Sequence, residues 1–183
     1  MWGSIANDFK RKLLAESDVG GFDFGVFSLF FPVLNWIARI CYPKKKDRLF
    51  FCWAFVGCLS SIIYNKGIGI MKGMSNTSGN LNTTELNTIM NIVYFLTAAI
   101  FLAEKNGVDP MGVFADFIAW IYSDDNLTAF RSQFPWWNIH NIASVFQHLF
   151  HVELTAADKS DIMMAKLVPI EQARTHFYIF NIY

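Results

Sequence analysis

The sequence predicts an all-α protein: a small helical membrane protein in which two or three transmembrane helices are followed by a bundle of short amphipathic helices. Of its 183 residues, 54% are hydrophobic and only 16% are charged, against roughly 45–50% and about 25% in ordinary soluble domains. Three apolar, aromatic-rich stretches also lie within the first 105 residues. A chain of this size has little interior in which to bury three such helices, which favours a lipid environment.

Residues 1–21 form a predicted amphipathic N-terminal segment. Trp2, Ile5, Phe9 and Leu13 recur at three- and four-residue spacing, which is typical of one face of a helix. Such a helix lies either on a membrane surface or against neighbouring helices, and the sequence leaves both arrangements open.

Residues 22–105 form a predicted transmembrane region. Phe24–Tyr42 contains Pro32 as well as polar residues, so this stretch either crosses the bilayer or dips into it. Leu49–Asn65 has seventeen residues without a charge, which is the lower limit for a span. Leu86–Ala103 has eighteen uncharged residues and is the best predicted span.

Two features in this region bear on packing and topology. Gly57 and Ser61 are four residues apart, and such a pair of small residues predicts close approach of a partner helix. The basic run from Lys44 to Arg48 lies between the first two predicted spans, which places that turn on the cytoplasmic or matrix-like side.

Residues 106–183 form a predicted acidic, short-helix region that belongs to the same structural unit. Four short helices are expected there, beginning at Asp109-Pro110, at Asp124 or Asp125, near Asn138 with an end near Val152, and at a capping pattern of Thr155 with Asp158. The conformation of His176–Tyr183 stays open between helix, strand and extended tail.

Three histidines form the sharpest candidate site. His140, His148 and His151 fall at about 0°, 80° and 20° around the predicted third helix, so they share one sector. Three imidazoles in one sector could bind zinc, or one of them could bind a haem iron. The alternative is an ordinary polar helix face, because Asn141 and Gln147 lie in the same sector.

The acidic residues of the C-terminal region indicate no catalytic site by their spacing. Acid–base chemistry requires two carboxylates brought together, and helix capping explains Asp109 and either Asp124 or Asp125 well enough. The acidic residues considered are Asp109, Asp116, Asp124, Asp125 and Glu153. No phosphate-binding loop or nucleophile motif accompanies them, so no catalytic residue is predicted and an enzyme is the less favoured interpretation.

The predicted function is therefore that of a non-catalytic integral membrane subunit, which packs against partner membrane helices and contributes to assembly or stability of a larger complex. Its expected partners are the lipid bilayer and other membrane subunits or a second copy of the chain. The formal net charge is zero and no basic patch is interleaved with aromatic residues, so nucleic acid is excluded as a partner. No cofactor is expected, although haem and zinc stay open.

Three alternatives accompany this prediction. The first is a haem- or metal-binding membrane protein that uses the face of His140, His148 and His151. The second is an oligomeric pore or carrier, because polar residues inside spans often mark a pathway; its lining residues would be Asn35, Arg39, Asn91 and Thr97. The third is a soluble all-α protein with an unusually apolar core.

Overall fold

The computed structural model describes residues 10, 13–20, 30–59, 61–72, 83–156 and 168–169. The chain divides into two compact units, one formed by residues 1–20 together with 84–183 and the other formed by residues 21–83. Helices and β-strands occur in both units. The prediction of an all-α protein is therefore wrong, and so is the alternative of a soluble all-α bundle.

An antiparallel sheet lies at the centre of the first unit. β1 (Leu13–Val19) lies between β5 (Asp125–Phe130) and β6 (Leu154–Ala156), and β4 (Phe117–Tyr122) pairs with β5 on its other side. The two-residue β7 (Val168–Pro169) pairs with the beginning of β1. Leu13, predicted to lie on an N-terminal helix, is instead in β1, whereas Trp2, Ile5 and Phe9 lie outside the described residues.

A short helix, α4 (Pro110–Asp116), precedes β4. Asp109 caps it, because its carboxylate oxygens accept from the backbone N–H groups of Met111 at 3.3 Å and Gly112 at 3.0 Å. The predicted helix start at Asp109-Pro110 is thus confirmed. The chain then continues as a strand, since Phe117–Tyr122 consists almost entirely of aromatic and β-branched residues.

The longest helix is α3 (Thr83–Lys105), and one stripe of it is buried in the protein. The stripe recurs at three- and four-residue spacing and contains Leu86, Asn87, Met90, Asn91, Tyr94, Phe95, Ala98, Ala99, Leu102 and Ala103. The Phe95 ring lies 5.0 Å from that of Phe146, and the Tyr94 ring lies 4.5 Å from that of Phe150. These aromatic contacts anchor α3 in the core of the first unit.

Phe146 and Phe150 belong to a helical segment that lies between β5 and β6 in the chain. α5 (Ile139–Val145) begins after Asn138, whose side-chain oxygen accepts from the Asn141 N–H at 3.0 Å, and it continues as a π-helical turn over Phe146–Phe150. The predicted helix beginning near Asn138 is therefore confirmed. The predicted start of a further helix at Thr155 is wrong, because Thr155 lies in β6; Asp158 and His176–Tyr183 lie outside the described residues.

The prediction of two or three transmembrane helices is also wrong. Within the described residues, only α3 is long and apolar enough to cross a membrane, and more than half of its most apolar part is buried inside the protein. The core helix of a folded domain satisfies the same criterion. The stretch Leu49–Asn65 does not stay helical, because α2 (Lys45–Leu59) ends within it and β2 (Ser61–Asn65) follows.

The second unit combines two helices with a hairpin. α1 (Phe30–Cys41) leads into α2, and the rings of Tyr42 and Phe51 lie 5.2 Å apart beside their junction. β2 pairs with β3 (Ile68–Lys72) through a two-residue turn in which Lys66 has φ 49° and Gly67 has φ 83°. Two consecutive positive φ angles define a type I′ turn, which explains the glycine at its second position.

The predicted helix-packing pair is divided between two elements of this unit. Gly57 lies on α2, whereas Ser61 is the first residue of β2, so the two residues do not share one helix. A Cβ atom added to Gly57 would meet no other atom within 4 Å.

Candidate functional site

The tightest turn of the first unit joins β4 to β5. Tyr122 pairs with Asp125, so only Ser123 and Asp124 form the turn. Ser123 has φ 57°, a left-handed conformation that glycine adopts more readily than other residues. The prediction that Asp124 or Asp125 caps a helix is therefore wrong, because Asp124 is in the turn and Asp125 begins a strand.

Three polar side chains of α3 bind this turn. The Thr88 hydroxyl accepts from the Ser123 N–H at 2.8 Å, and Nδ2 of Asn91 donates to the carbonyl oxygens of both Ser123 and Asp124 at 3.1 Å. Nδ2 of Asn87 donates to the Ser123 hydroxyl at 3.3 Å. Residues three and four apart lie on one helix face, so this face of α3 is built around the turn.

A buried polar pair fixes the same turn from the sheet side. Ser17 of β1 lies opposite Asn126 of β5, and its hydroxyl donates to Oδ1 of Asn126 at 2.9 Å. Nδ2 of Asn126 donates back to the Ser17 carbonyl at 2.8 Å and to the Asp124 carbonyl at 3.3 Å. Both side chains are buried, so a shift in register would leave polar groups unpaired at a cost of about 1–3 kcal/mol each.

The register brings a third carboxylate to the same edge of the sheet. Continuing the pairing of Ser17 with Asn126 by one residue places Asp18 opposite Asp125, and directly opposed residues of antiparallel strands share a face. The Thr155 hydroxyl donates to the Asp18 carbonyl at 3.3 Å and fixes the other side of β1. Asp18 and Asp125 are half-buried, and Asp124 is exposed.

Carboxylates arranged in this way suit hard divalent cations. Mg²⁺ is held in proteins by one or two carboxylates, and waters and substrate phosphates complete its coordination. Across the part of the chain that the structure describes, no three His, Cys, Asp or Glu side chains are grouped closely enough to enclose a metal by themselves. The open edge with an exposed Asp124 therefore fits a metal that is shared with a phosphate-bearing ligand.

The predicted histidine site lies elsewhere in the first unit. His140 is on α5, His148 is in the π-helical turn with its ring 6.2 Å from that of Phe101, and His151 follows with φ 55°. All three side chains are exposed. Metal or haem binding by these histidines stays a prediction.

Sequence reasoning assigned neither Asp18 nor the turn-binding residues Asn87 and Thr88 to a functional site. The available signal was the acidic pair Asp124-Asp125 between two short runs, of which Phe117–Tyr122 is rich in strand-forming residues; that pattern also suits a hairpin. Asn91 was assigned to the lining of a pore, whereas its amide binds the turn. Thr97, assigned to the same lining, donates to the Val93 carbonyl of its own helix at 2.7 Å.

The chain matches the model of a known protein family. The family model described as viral RNA-dependent RNA polymerase matches residues 2–174, which is nearly the whole chain. No curated protein sequence matches the chain.

This match corrects the functional predictions. It is a match to a polymerase family and not to a membrane family, so the integral-membrane subunit, its lipid and membrane-protein partners and its membrane location are wrong. The two alternatives that describe a membrane protein, an oligomeric pore or carrier and a haem- or metal-binding membrane protein, are wrong for the same reason. Binding of a metal or haem by the three histidines themselves is not tested by this match. The exclusion of nucleic acid as a partner is also wrong, because the family acts on RNA.

Proposed function

The chain belongs to the viral RNA-dependent RNA polymerase family, and on that premise we propose that it catalyses template-directed addition of ribonucleotides to a growing RNA strand. The observation that carries the proposal is the register of the β-sheet, which places Asp18 of β1 beside the turn that contains Asp124 and leads into Asp125. α3 holds this turn in place. RNA and nucleoside triphosphates are the ligands that this activity requires.

Asp18, Asp124 and Asp125 are the residues that would hold divalent cations. Held by these residues, magnesium ions would neutralise phosphate charge and supply Lewis-acid stabilisation for displacement at phosphorus. Without cations, the three carboxylates would repel a triphosphate, because all of these groups are negatively charged at neutral pH.

The chain's own contribution is to hold these acids in place before substrate arrives. β1 is fixed through Ser17 and through the Asp18 carbonyl, and the turn is fixed through Asn126 and through α3. Preorganised charges stabilise a transition state without the cost of reorganising during the reaction. This accounts for the number of polar contacts around a two-residue turn.

The first test is binding of Mn²⁺, a divalent ion that carboxylate sites accept and that electron paramagnetic resonance detects. We expect the Asp124→Asn variant to bind Mn²⁺ at least about tenfold more weakly than the unaltered chain, because it removes one charged ligand. Glu104→Gln is the matched control, since Glu104 is exposed at the far end of α3. Equal Mn²⁺ affinity in Asp124→Asn and the unaltered chain would overturn the proposed metal site.

A further inference from the structure

Thr88 and Asn91 of α3 form hydrogen bonds with the β4–β5 turn. We propose that Thr88 and Asn91 are positioning residues for the metal-binding carboxylates: together they hold Ser123 and Asp124 in the turn conformation that aims the Asp124 carboxylate at the metal. This inference rests on the proposed function, and it assigns to the polar face of α3 a role in metal affinity without metal contact.

The first argument is the strain in the turn. A non-glycine residue with positive φ costs on the order of 1–3 kcal/mol and persists only where its surroundings impose it. Ser123 has φ 57°, and its N–H and C=O groups both bind side chains of α3, through the Thr88 hydroxyl at 2.8 Å and Nδ2 of Asn91 at 3.1 Å. The helix thus supplies the contacts that keep the backbone of Ser123 in this conformation.

The second argument is the hydrogen bonding of Asn91. Its side chain is fully buried. Nδ2 donates to two carbonyl groups, whereas Oδ1 is buried and accepts no hydrogen bond from the residues that the structure describes. An unpaired buried carbonyl oxygen costs stability, on the order of 1–3 kcal/mol. An amide at this position is therefore a poor choice for packing alone, and its two donated bonds to the turn explain its presence.

The third argument is the relay through Thr88. Its hydroxyl donates to the Thr84 carbonyl at 2.7 Å and accepts from the Ser123 N–H at 2.8 Å. Because the hydroxyl proton is used within the helix, the hydroxyl oxygen acts as an acceptor toward the turn. The direction of both bonds is fixed by the helix backbone. Ser123 is thereby tied to a rigid element, and Asp124 is the next residue along the chain.

Hydrogen bonds that orient metal ligands without contacting the metal typically change metal affinity by about 10–100-fold when they are removed. The expected results follow for two substitutions. Thr88→Val keeps the shape of the side chain and leaves the Ser123 N–H without its acceptor, and Asn91→Leu removes both donors to the turn. We expect each variant to bind Mn²⁺ at least about tenfold more weakly than the unaltered chain.

The chain offers two matched controls. Thr88→Ser keeps the hydroxyl and should restore Mn²⁺ affinity to within about twofold of the unaltered chain, because both hydrogen bonds can form. Thr97→Val makes the same chemical change as Thr88→Val on the same helix, but the Thr97 hydroxyl binds only the helix backbone among the contacts described. Thr97→Val should leave Mn²⁺ affinity unchanged.

A second measurement reads the turn without metal. Nuclear magnetic resonance in metal-free buffer measures how fast the Ser123 amide hydrogen exchanges with solvent. We expect this exchange to be about tenfold faster in Thr88→Val than in Thr97→Val, and in Thr88→Ser to be as slow as in Thr97→Val. Thermal unfolding establishes that each variant is folded. If Asn91→Leu does not fold, the comparison of Thr88→Val with Thr88→Ser tests the positioning role.

The outcomes separate this inference from the proposed function. If Asp124→Asn weakens Mn²⁺ binding while folded Thr88→Val binds Mn²⁺ as tightly as the unaltered chain, the positioning role is refuted and the metal site stands. If Asp124→Asn has no effect on Mn²⁺ binding, the metal site itself fails, and the positioning role fails with it. Equal losses in Thr88→Val and Thr97→Val would show a general effect on α3 and would also refute the proposal.

Discussion

At the scale of single residues, helix caps follow from the sequence and the acidic site does not. Asp109 and Asn138 bind N–H groups two or three residues further along the chain, so local spacing is sufficient to predict them. Asp18 lies beside the β4–β5 turn only because β1 pairs with β5, and the supporting bond from Ser17 to Asn126 joins residues 109 positions apart. No spacing rule reaches across that distance.

Tyr94 provides a residue-scale prediction about alkaline stability. Burial raises the pKa of its phenol above the ordinary value of 10.0, because the charged phenolate is poorly solvated in the core. The unfolded chain therefore releases this proton at lower pH than the folded chain. Stability from Tyr94 is fully present below about pH 9 and is lost as the pH rises above 10, by up to about 1.4 kcal/mol per pH unit.

The Tyr94→Phe variant should lack this contribution. Urea unfolding of both proteins at about pH 8 and about pH 10.5 measures it, and the difference in free energy of unfolding between the two pH values should be smaller in the variant. An identical loss of stability in both proteins would contradict the assignment of a raised pKa to Tyr94.

At the scale of elements, α3 shows what a hydrophobic pattern can and cannot predict. The uncharged run Leu86–Ala103 correctly predicts a helix, and the structure makes it the helix Thr83–Lys105. The same apolar composition is needed to cross a bilayer and to fill the centre of a domain. The polar residues Asn87, Thr88 and Asn91 indicate which of these two roles α3 has, because they bind the turn at Ser123 inside the protein.

The strand Phe117–Tyr122 was predicted to be part of a helix for a related reason. Phe117–Tyr122 has apolar residues at three- and four-residue spacing, as a helix does, and its strand is half-buried without a strict alternation of apolar and polar residues. Hydrogen bonding to β5 decides between the two structures, and that pairing depends on the turn at Ser123 and Asp124. Period alone does not distinguish helix from strand in so short a run.

The core role of α3 predicts unequal effects of two substitutions one turn apart. Phe95 is fully buried against Phe146, so Phe95→Ala should lower the free energy of unfolding by about 3–5 kcal/mol. Ile92 is 38% exposed on the same helix, and Ile92→Ala should cost clearly less. Urea unfolding of the two variants measures both losses, and equal losses would contradict a buried stripe on this face of α3.

At the scale of the whole molecule, the total charge misled the prediction about nucleic acid. A formal net charge of zero argues against strong electrostatic binding of the nucleic-acid phosphate backbone. The proposed site works by a different rule, because its acids attract cations and the cations attract phosphate. The side chains at such a centre carry negative charge, whereas a basic nucleic-acid-binding surface carries positive charge. The net charge of the chain therefore does not reveal such a centre.

Membership of the polymerase family and the position of Asp18 beside the β4–β5 turn together support one central proposal: the chain adds ribonucleotides under the direction of an RNA template, with Asp124 in the metal centre. The most direct test is incorporation of labelled ribonucleoside triphosphates by the purified full chain on a primed RNA template, with Mg²⁺ or Mn²⁺ present. We predict incorporation only of the nucleotide complementary to the template base, and a loss of roughly 100-fold or more in Asp124→Asn. Incorporation that ignores the template base, equal incorporation by Asp124→Asn, or no incorporation by the unaltered chain would contradict the claim.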